Sequence, residues 1–195
     1  SLSTRWLSMV EEAPYLDPLR AAEPEDPRPQ GLPWVALALL EVEGRWLVQL
    51  RDDIAGIAAP GTWGLFGGHL DPGESAEQAL RRELIEEINF EAGHLRFWCH
   101  HRNSQRLASY FLGELTVPLR ELTLLEGQDL TLATPAQLLN GSIHSLRLGE
   151  ARGLAPSLLW AVTQLQACQW CPSGEALGLE ERASGSRRSV LAPFT

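Results

Sequence analysis

At 195 residues and 44% hydrophobic content, the chain carries enough apolar material for one core-bearing domain with extensions, and too little for two full domains. A formal net charge of −9 and a pI near 5.0 argue against extended binding to DNA or RNA, where clustered basic groups must replace counterions; all 16 basic residues are arginine. No apolar run reaches the ~18 residues of a membrane span, and residues 1–30 show no basic region followed by an apolar one, so the reading is a cytoplasmic protein without membrane contact. Three cysteines make no disulfide framework, and Cys168-Gln169-Trp170-Cys171 has no second pair to complete a structural zinc site.

In chain order, residues 1–30 form an N-terminal extension in which Pro14, Pro18, Pro24, Pro27 and Pro29 leave room only for a short helix around Thr4 to Glu11. Trp6, Leu7 and Val10 are available to the core or, in a homodimer, to a second subunit. Pro33 to Val42 is almost continuously apolar, and after Glu43-Gly44 the run Arg45 to Arg51 alternates, which predicts a hairpin feeding a central sheet. A loop from Asp52 to Gly61 leads into Trp63-Gly64-Leu65-Phe66-Gly67-Gly68, whose paired glycines let the backbone approach a phosphate or metal. Trp63 is a candidate to stack on a base, with core packing as the alternative.

The stretch Gly68 to Phe90, GHLDPGESAEQALRRELIEEINF, organises the rest. Pro72 and Gly73 predict a type II turn, Ser75 and Gln78 have capping-box spacing, and Ala76, Ala79, Leu80, Leu84 and Ile88 recur at helical intervals, so a helix over about 75–88 follows. Glu83, Glu86 and Glu87 then share a face bordering the apolar stripe. Like charges three and four residues apart repel, and partial burial adds a desolvation cost, so a cation belongs there. Oxygen-only ligands suit a hard divalent ion, Mg²⁺ or Mn²⁺.

The order Gly68, five residues, Glu74, seven residues, Arg82-Glu83-Leu84, one residue, Glu86-Glu87 resembles the signature box of the Nudix hydrolases, with a chance match near roughly 10⁻⁵ at average residue usage. Its departure is Asn89 in place of glycine, and Asn is the next most tolerant residue of the left-handed conformation that ends a helix. The resemblance implies an α/β fold, a Nudix-type α/β/α sandwich with a mixed sheet over residues 31–168, and a tail over residues 169–195. It implies hydrolysis of a nucleoside diphosphate linked to a further group, with Glu83, Glu86, Glu87 and the backbone carbonyl of Gly67 as metal ligands, and with Arg82 holding Glu74 to orient the helix. Gly68 would border the substrate. A non-catalytic module that binds such a nucleotide for regulation is the alternative.

Beyond the box, Leu95 to His100 and Ala108 to Leu115 read as strands around a polar turn at Arg102 to Gln105. His100 and His101, adjacent on a strand, face opposite ways and do not make one compact metal site. Val117 to Asp129 is a loop, and its segment Leu124 to Gln128 resembles one that precedes the last strand and helix of the family, making Glu126 the favoured general base, on a loop able to move towards the phosphates, with Glu86 as the alternative base. Thr134, Pro135 and Gln137 predict a capped helix ended by Asn140-Gly141, and Pro156 opens a last helix. The substrate markers that some family members carry past the box are absent from Ser104 to Leu107, so the nucleotide itself is not named.

Overall fold

The computed structural model describes residues 31–169. The helix expected around Thr4 to Glu11, Cys171 and the tail from Ser173 onward lie outside the described residues.

The apolar run and its alternating successor form β1 (Trp34–Val42) and β2 (Arg45–Leu50), antiparallel, with Glu43 and Gly44 both at positive φ in the manner of a type I′ turn. The Gly44 N–H donates to the Glu41 carboxylate at this corner. β1 is buried on both faces: Val35, Leu37 and Leu39 point into one core, and Trp34, Ala36, Ala38 and Leu40 into the other. A strand buried on both sides has no polar face to show, which is why it reads as continuously apolar.

A broken strand, β3 (Trp63–Gly64) and β4 (Phe66–His69), bridges the space where β1 and β2 diverge: β3 pairs with β2 and β4 with the first half of β1. Beyond β1 the sheet continues through β6 (Leu107–Glu114), parallel to it, and β5 (Leu95–Arg102), antiparallel to β6; β7 (Asp129–Ala133) extends the other side along β2. The sheet is therefore mixed. Helix α1 (Ala76–Ile88) covers one face through Leu80, Leu84 and Ile88, and α3 (Pro156–Gln169) covers the other through Leu158, Val162 and Leu165, giving the expected α/β/α layering. No helix among the described residues is long and apolar enough to cross a membrane.

The local signals translate closely. The Glu74 N–H bonds to the Asp71 carbonyl at 3.1 Å around Gly73, at φ 84°, and Ser75 and Gln78 cap α1 reciprocally. α2 (Pro135–Leu139) starts at Thr134 with the same box and ends at Gly141, at φ 82°. The hairpin β8 (Ser142–Ser145) and β9 (Glu150–Gly153) was not anticipated, because its strands are short and mostly exposed. Buried Asp129 fastens it, accepting from the Ser145 hydroxyl at 2.7 Å and pairing with Arg147 at 3.2 Å. His100 bonds Ser109 through Nδ1 at 2.8 Å, whereas His101 lies flat on Trp160 with ring centroids 4.0 Å apart.

Asn89 ends α1 in the left-handed region, φ 51° and ψ 43°, with its backbone N–H bonded to Ile85 O at 2.9 Å. Asn89→Gly should change unfolding free energy by less than about 0.5 kcal/mol, whereas Asn89→Val, β-branched at positive φ, should lose about 1–2 kcal/mol. Urea titration of the pair separates a conformational requirement from a side-chain contact: a large loss in the glycine variant means that the Asn89 amide is bonded.

Candidate functional site

Gln49 sets the geometry. On β2, Trp46, Val48 and Leu50 turn to the α3 core and Leu47 to the α1 core, so Gln49 shares the α1 face. There its side chain donates to Glu87 Oε1 at 3.0 Å, while the Gly67 N–H donates to Glu87 Oε2 at 2.9 Å. Glu87, one turn beyond Glu83, is 3% exposed. Burial pushes its carboxyl up to about 8, against the opposing effect of its two hydrogen bonds, and the charges of Glu83 and Glu126 add to the rise.

The paired glycines are explained by close approaches. Gly67 has φ 127°, and a Cβ there would stand 2.0 Å from the Ala36 carbonyl oxygen; a Cβ on Gly68 would stand 2.6 Å from the Glu83 carboxyl carbon. Gly67 must therefore be glycine for the β1–β4 pairing, and Gly68 for Glu83 to lie against the chain.

Arg82 is the hub of the exposed side. Its Nε and Nη2 hold both oxygens of Glu74 at 2.9 and 3.0 Å, Nη1 reaches Glu83 at 2.7 Å and Glu86 at 3.1 Å, and Nη2 also donates to the His69 carbonyl at 3.0 Å. The guanidinium holds the Glu74 carboxyl below its ordinary value, and Arg82 is itself held more firmly protonated. Burial raises Glu83, with the Arg82 bond opposing and Glu86 and Glu126 adding to the rise. The three helix carboxylates are thus unequal, with side-chain exposures of 17% for Glu83 and 57% for Glu86 beside the buried Glu87.

Glu126 sits on a loop that is hydrogen-bonded on both sides. The Thr123 and Leu125 N–H groups donate to the carbonyls of Ile88 and Glu87 at the end of α1, at 3.2 and 2.8 Å, and Gln128 bonds the Leu50 and Arg51 carbonyls at 2.7 and 2.8 Å. Orphan carbonyls at a helix end and at a strand end are satisfied by this one segment. Gly127, at φ 93°, passes where a Cβ would be 3.0 Å from Gln49 Oε1, so the loop packs against the side chain that holds Glu87. Glu126 itself is exposed and has no hydrogen-bond or ion-pair partner among the described residues.

Trp63 is corrected as a substrate-stacking candidate. It is fully buried, and its indole N–H donates to Ile143 O at 2.9 Å, tying β3 to the unanticipated hairpin. Gln49 and Gly127 are the residues that sequence reasoning missed. A single glutamine inside Trp46-Leu47-Val48-Gln49-Leu50, on the face that alternation sends inward, was the available signal.

The side chains fit a hard divalent cation by chemistry, with oxygen donors and two partly or wholly buried carboxylates that repel each other, only one of which Arg82 touches. As placed, the carboxylates are not gathered into a closed group of three ligands among the described residues. Glu83 and Glu86 are drawn towards Arg82.

A carboxyl raised in the folded state is destabilising above its ordinary value, so metal-free protein should lose stability as pH rises from 4.5 towards about 8. The loss attributable to Glu87 is on the order of 5 kcal/mol, and Glu87→Gln should lack it. Urea midpoints in EDTA at several pH values over this range check the prediction; parallel pH profiles for the two proteins would mean that Glu87 ionises normally.

The NUDIX domain model matches residues 31–192. The nucleoside triphosphatase NudI of Escherichia coli O1:K1 is 41% identical over 54 residues, 28% of this chain and 38% of NudI, so the match spans well under half of that relative. The MutT NUDIX hydrolase of Burkholderia pseudomallei superposes with a TM-score of 0.55 at 19% identity over 69% of this chain and 98% of that one. The NUDIX domain of Shewanella oneidensis NrtR, solved with ADP ribose, gives 0.50 at 18% identity over 76% and 95%. With the family model covering most of its length and the box residues on the helix and turn just described, the chain belongs to the Nudix hydrolase family.

Proposed function

We propose that the chain is a metal-dependent pyrophosphohydrolase that cleaves a nucleoside diphosphate linked to another group into a nucleoside monophosphate and a phosphorylated fragment. The observation that carries this reading is Glu87, a carboxylate buried with Glu83 and Glu126 acting on it and with no arginine of its own. Structural packing alone gives no reason to bury an acidic group beside half-buried Glu83 and exposed Glu126.

Glu83, Glu86, Glu87 and the Gly67 carbonyl would hold Mg²⁺ or Mn²⁺, which when bound neutralises phosphate oxygens and lowers the pKa of water. The residues of the chain do the rest. Arg82 grips Glu74 with a two-pronged bond and so fixes the turn before α1 to the helix. Gln49 and the Gly67 N–H orient Glu87. Glu126, exposed and unpaired among the described residues, is the group positioned to take the proton of the attacking water, whereas Glu86 is already engaged by Arg82. Water adds across the anhydride, one P–O bond breaks, and the bridging oxygen leaves with the second fragment.

The relatives suggest which substrates to try first: nucleoside triphosphates from the name of NudI, and ADP ribose from the ligand of the NrtR domain. Nucleotide sugars and dinucleotides complete a screen in Mg²⁺ and then Mn²⁺. Retention of all the box carboxylates favours catalysis over the regulatory-binding alternative, and turnover of none of these classes would favour binding.

Glu87→Gln should nearly abolish turnover in a folded protein. Glu126→Gln should lower kcat by roughly 10²–10⁴ with metal affinity nearly intact, and Glu86→Gln should weaken metal binding first. Mn²⁺ titration with kcat measured at saturating metal separates these effects. Wild-type turnover in Glu126→Gln beside a Glu86→Gln protein inactive at saturating metal reverses the two assignments.

A further inference from the structure

Arg106 opens a second question. Its side chain is partly buried, its guanidinium has no hydrogen-bond or ion-pair partner among the described residues, and the charge of Arg51 bears on it. Arg51 donates through Nε to the Ala58 carbonyl at 2.8 Å and likewise has no carboxylate among the described residues. Among the described residues, Arg45, Arg81, Arg82, Arg147 and Arg152 have acidic partners. Arg102 and Arg120 also lack an acidic partner among the described residues but are exposed, whereas Arg106 and Arg51 are partly buried.

Arg106 lines a cavity of about 60 Å³ between the β5–β6 turn and the first turn of α3, with His101, Asn103, Ala108, Tyr110 and Ser157 among its walls and no acidic side chain among them. The Asn103 side-chain Oδ1 is committed to the turn, accepting from the N–H groups of Gln105 and Arg106 at 2.9 Å each. The Tyr110 hydroxyl donates to Ser157 O at 3.3 Å, and the Ser157 N–H, in the first turn of α3, has no acceptor within the helix. Burial and the Arg106 charge hold the His101 imidazole below its ordinary value, so that the ring stacked on Trp160 is a neutral wall. A guanidinium partly desolvated beside another is relieved by an anion. The volume corresponds to about two waters, enough for the oxygens of a phosphate or carboxylate and too little for a nucleobase.

We propose that this cavity is an oxyanion site in which Arg106 takes a phosphate or carboxylate. The cavity lies on the α3 face of the sheet, where Ala108 and Tyr110 pack, opposite the α1 face on which Gln49 holds Glu87. The anion site does not depend on the hydrolase reading. A wider cleft of about 540 Å³ beside Leu119, Arg120 and Leu130 makes a weaker case, since Arg147 on its wall is already paired with Asp129.

The test is a titration of the metal-free full chain with inorganic phosphate and, in parallel, acetate, followed by NMR at the ring signals of His101 and Trp160. Wild-type protein should show a saturable shift, and whichever anion binds tighter identifies the source. Arg106→Gln should bind at least ~10-fold more weakly, Arg106→Lys should restore part of the loss, and Arg51→Gln should lose less. Glu87→Gln should respond as wild type does, which separates this site from the hydrolysis reading. No saturable shift with either anion, or an equal shift in Arg106→Gln, overturns the proposal.

Discussion

The structure depends on keeping one carboxyl group out of water. Glu87 lies where α1 crosses the divergence of β1 and β2, and its two oxygens are held by a strand side chain and a backbone N–H. Each requirement passes to another residue: Gln49 must face inward, Gly67 must adopt a positive φ against Ala36, and Gly127 must clear Gln49 so that the Thr123 to Gln128 segment can lie against the helix end and β2. Such a buried carboxylate is poor evidence of stability, since desolvation opposes it. It is better understood as a group kept for chemistry and tolerated by a core of large apolar side chains on both faces of the sheet.

Arg82 supplies the complementary order on the wet side. One guanidinium engages Glu74, Glu83, Glu86 and the His69 carbonyl, so the turn, the helix and the end of β4 form one rigid unit. It does not reach Glu87. The charge left inside the site is therefore graded: Glu86 exposed and paired, Glu83 intermediate, Glu87 buried. That grading distinguishes three carboxylates that a helical projection makes equivalent.

Much of this was legible in the sequence wherever a local rule decides the outcome. The Pro72-Gly73 turn, the Ser75 and Thr134 caps, the Glu43-Gly44 hairpin corner and the doubly buried β1 each follow from backbone preference or from hydrophobic pattern. The inequality of Glu83, Glu86 and Glu87 did not follow, because burial is set by what packs over the helix: the Gln49 side chain and the Thr123 to Gln128 segment arrive from distant parts of the chain. Trp63 was ambiguous for the same reason. Its partner, the Ile143 carbonyl, lies on a hairpin whose short, exposed strands leave almost no pattern, and which is attached through buried Asp129 and through Arg152 to Asp53 and the Gly61 carbonyl.

The central claim is that Glu87 keeps its proton in the metal-free fold near neutral pH and gives it up to a divalent cation. Calorimetric titration with Mn²⁺ at about pH 7, repeated in buffers of different ionisation enthalpy, counts the protons released on binding. The raised carboxyl, at about 8, predicts release of about one proton per site in the wild type and close to none in Glu87→Gln. Tight Mn²⁺ binding with no proton release in the wild type would contradict the account.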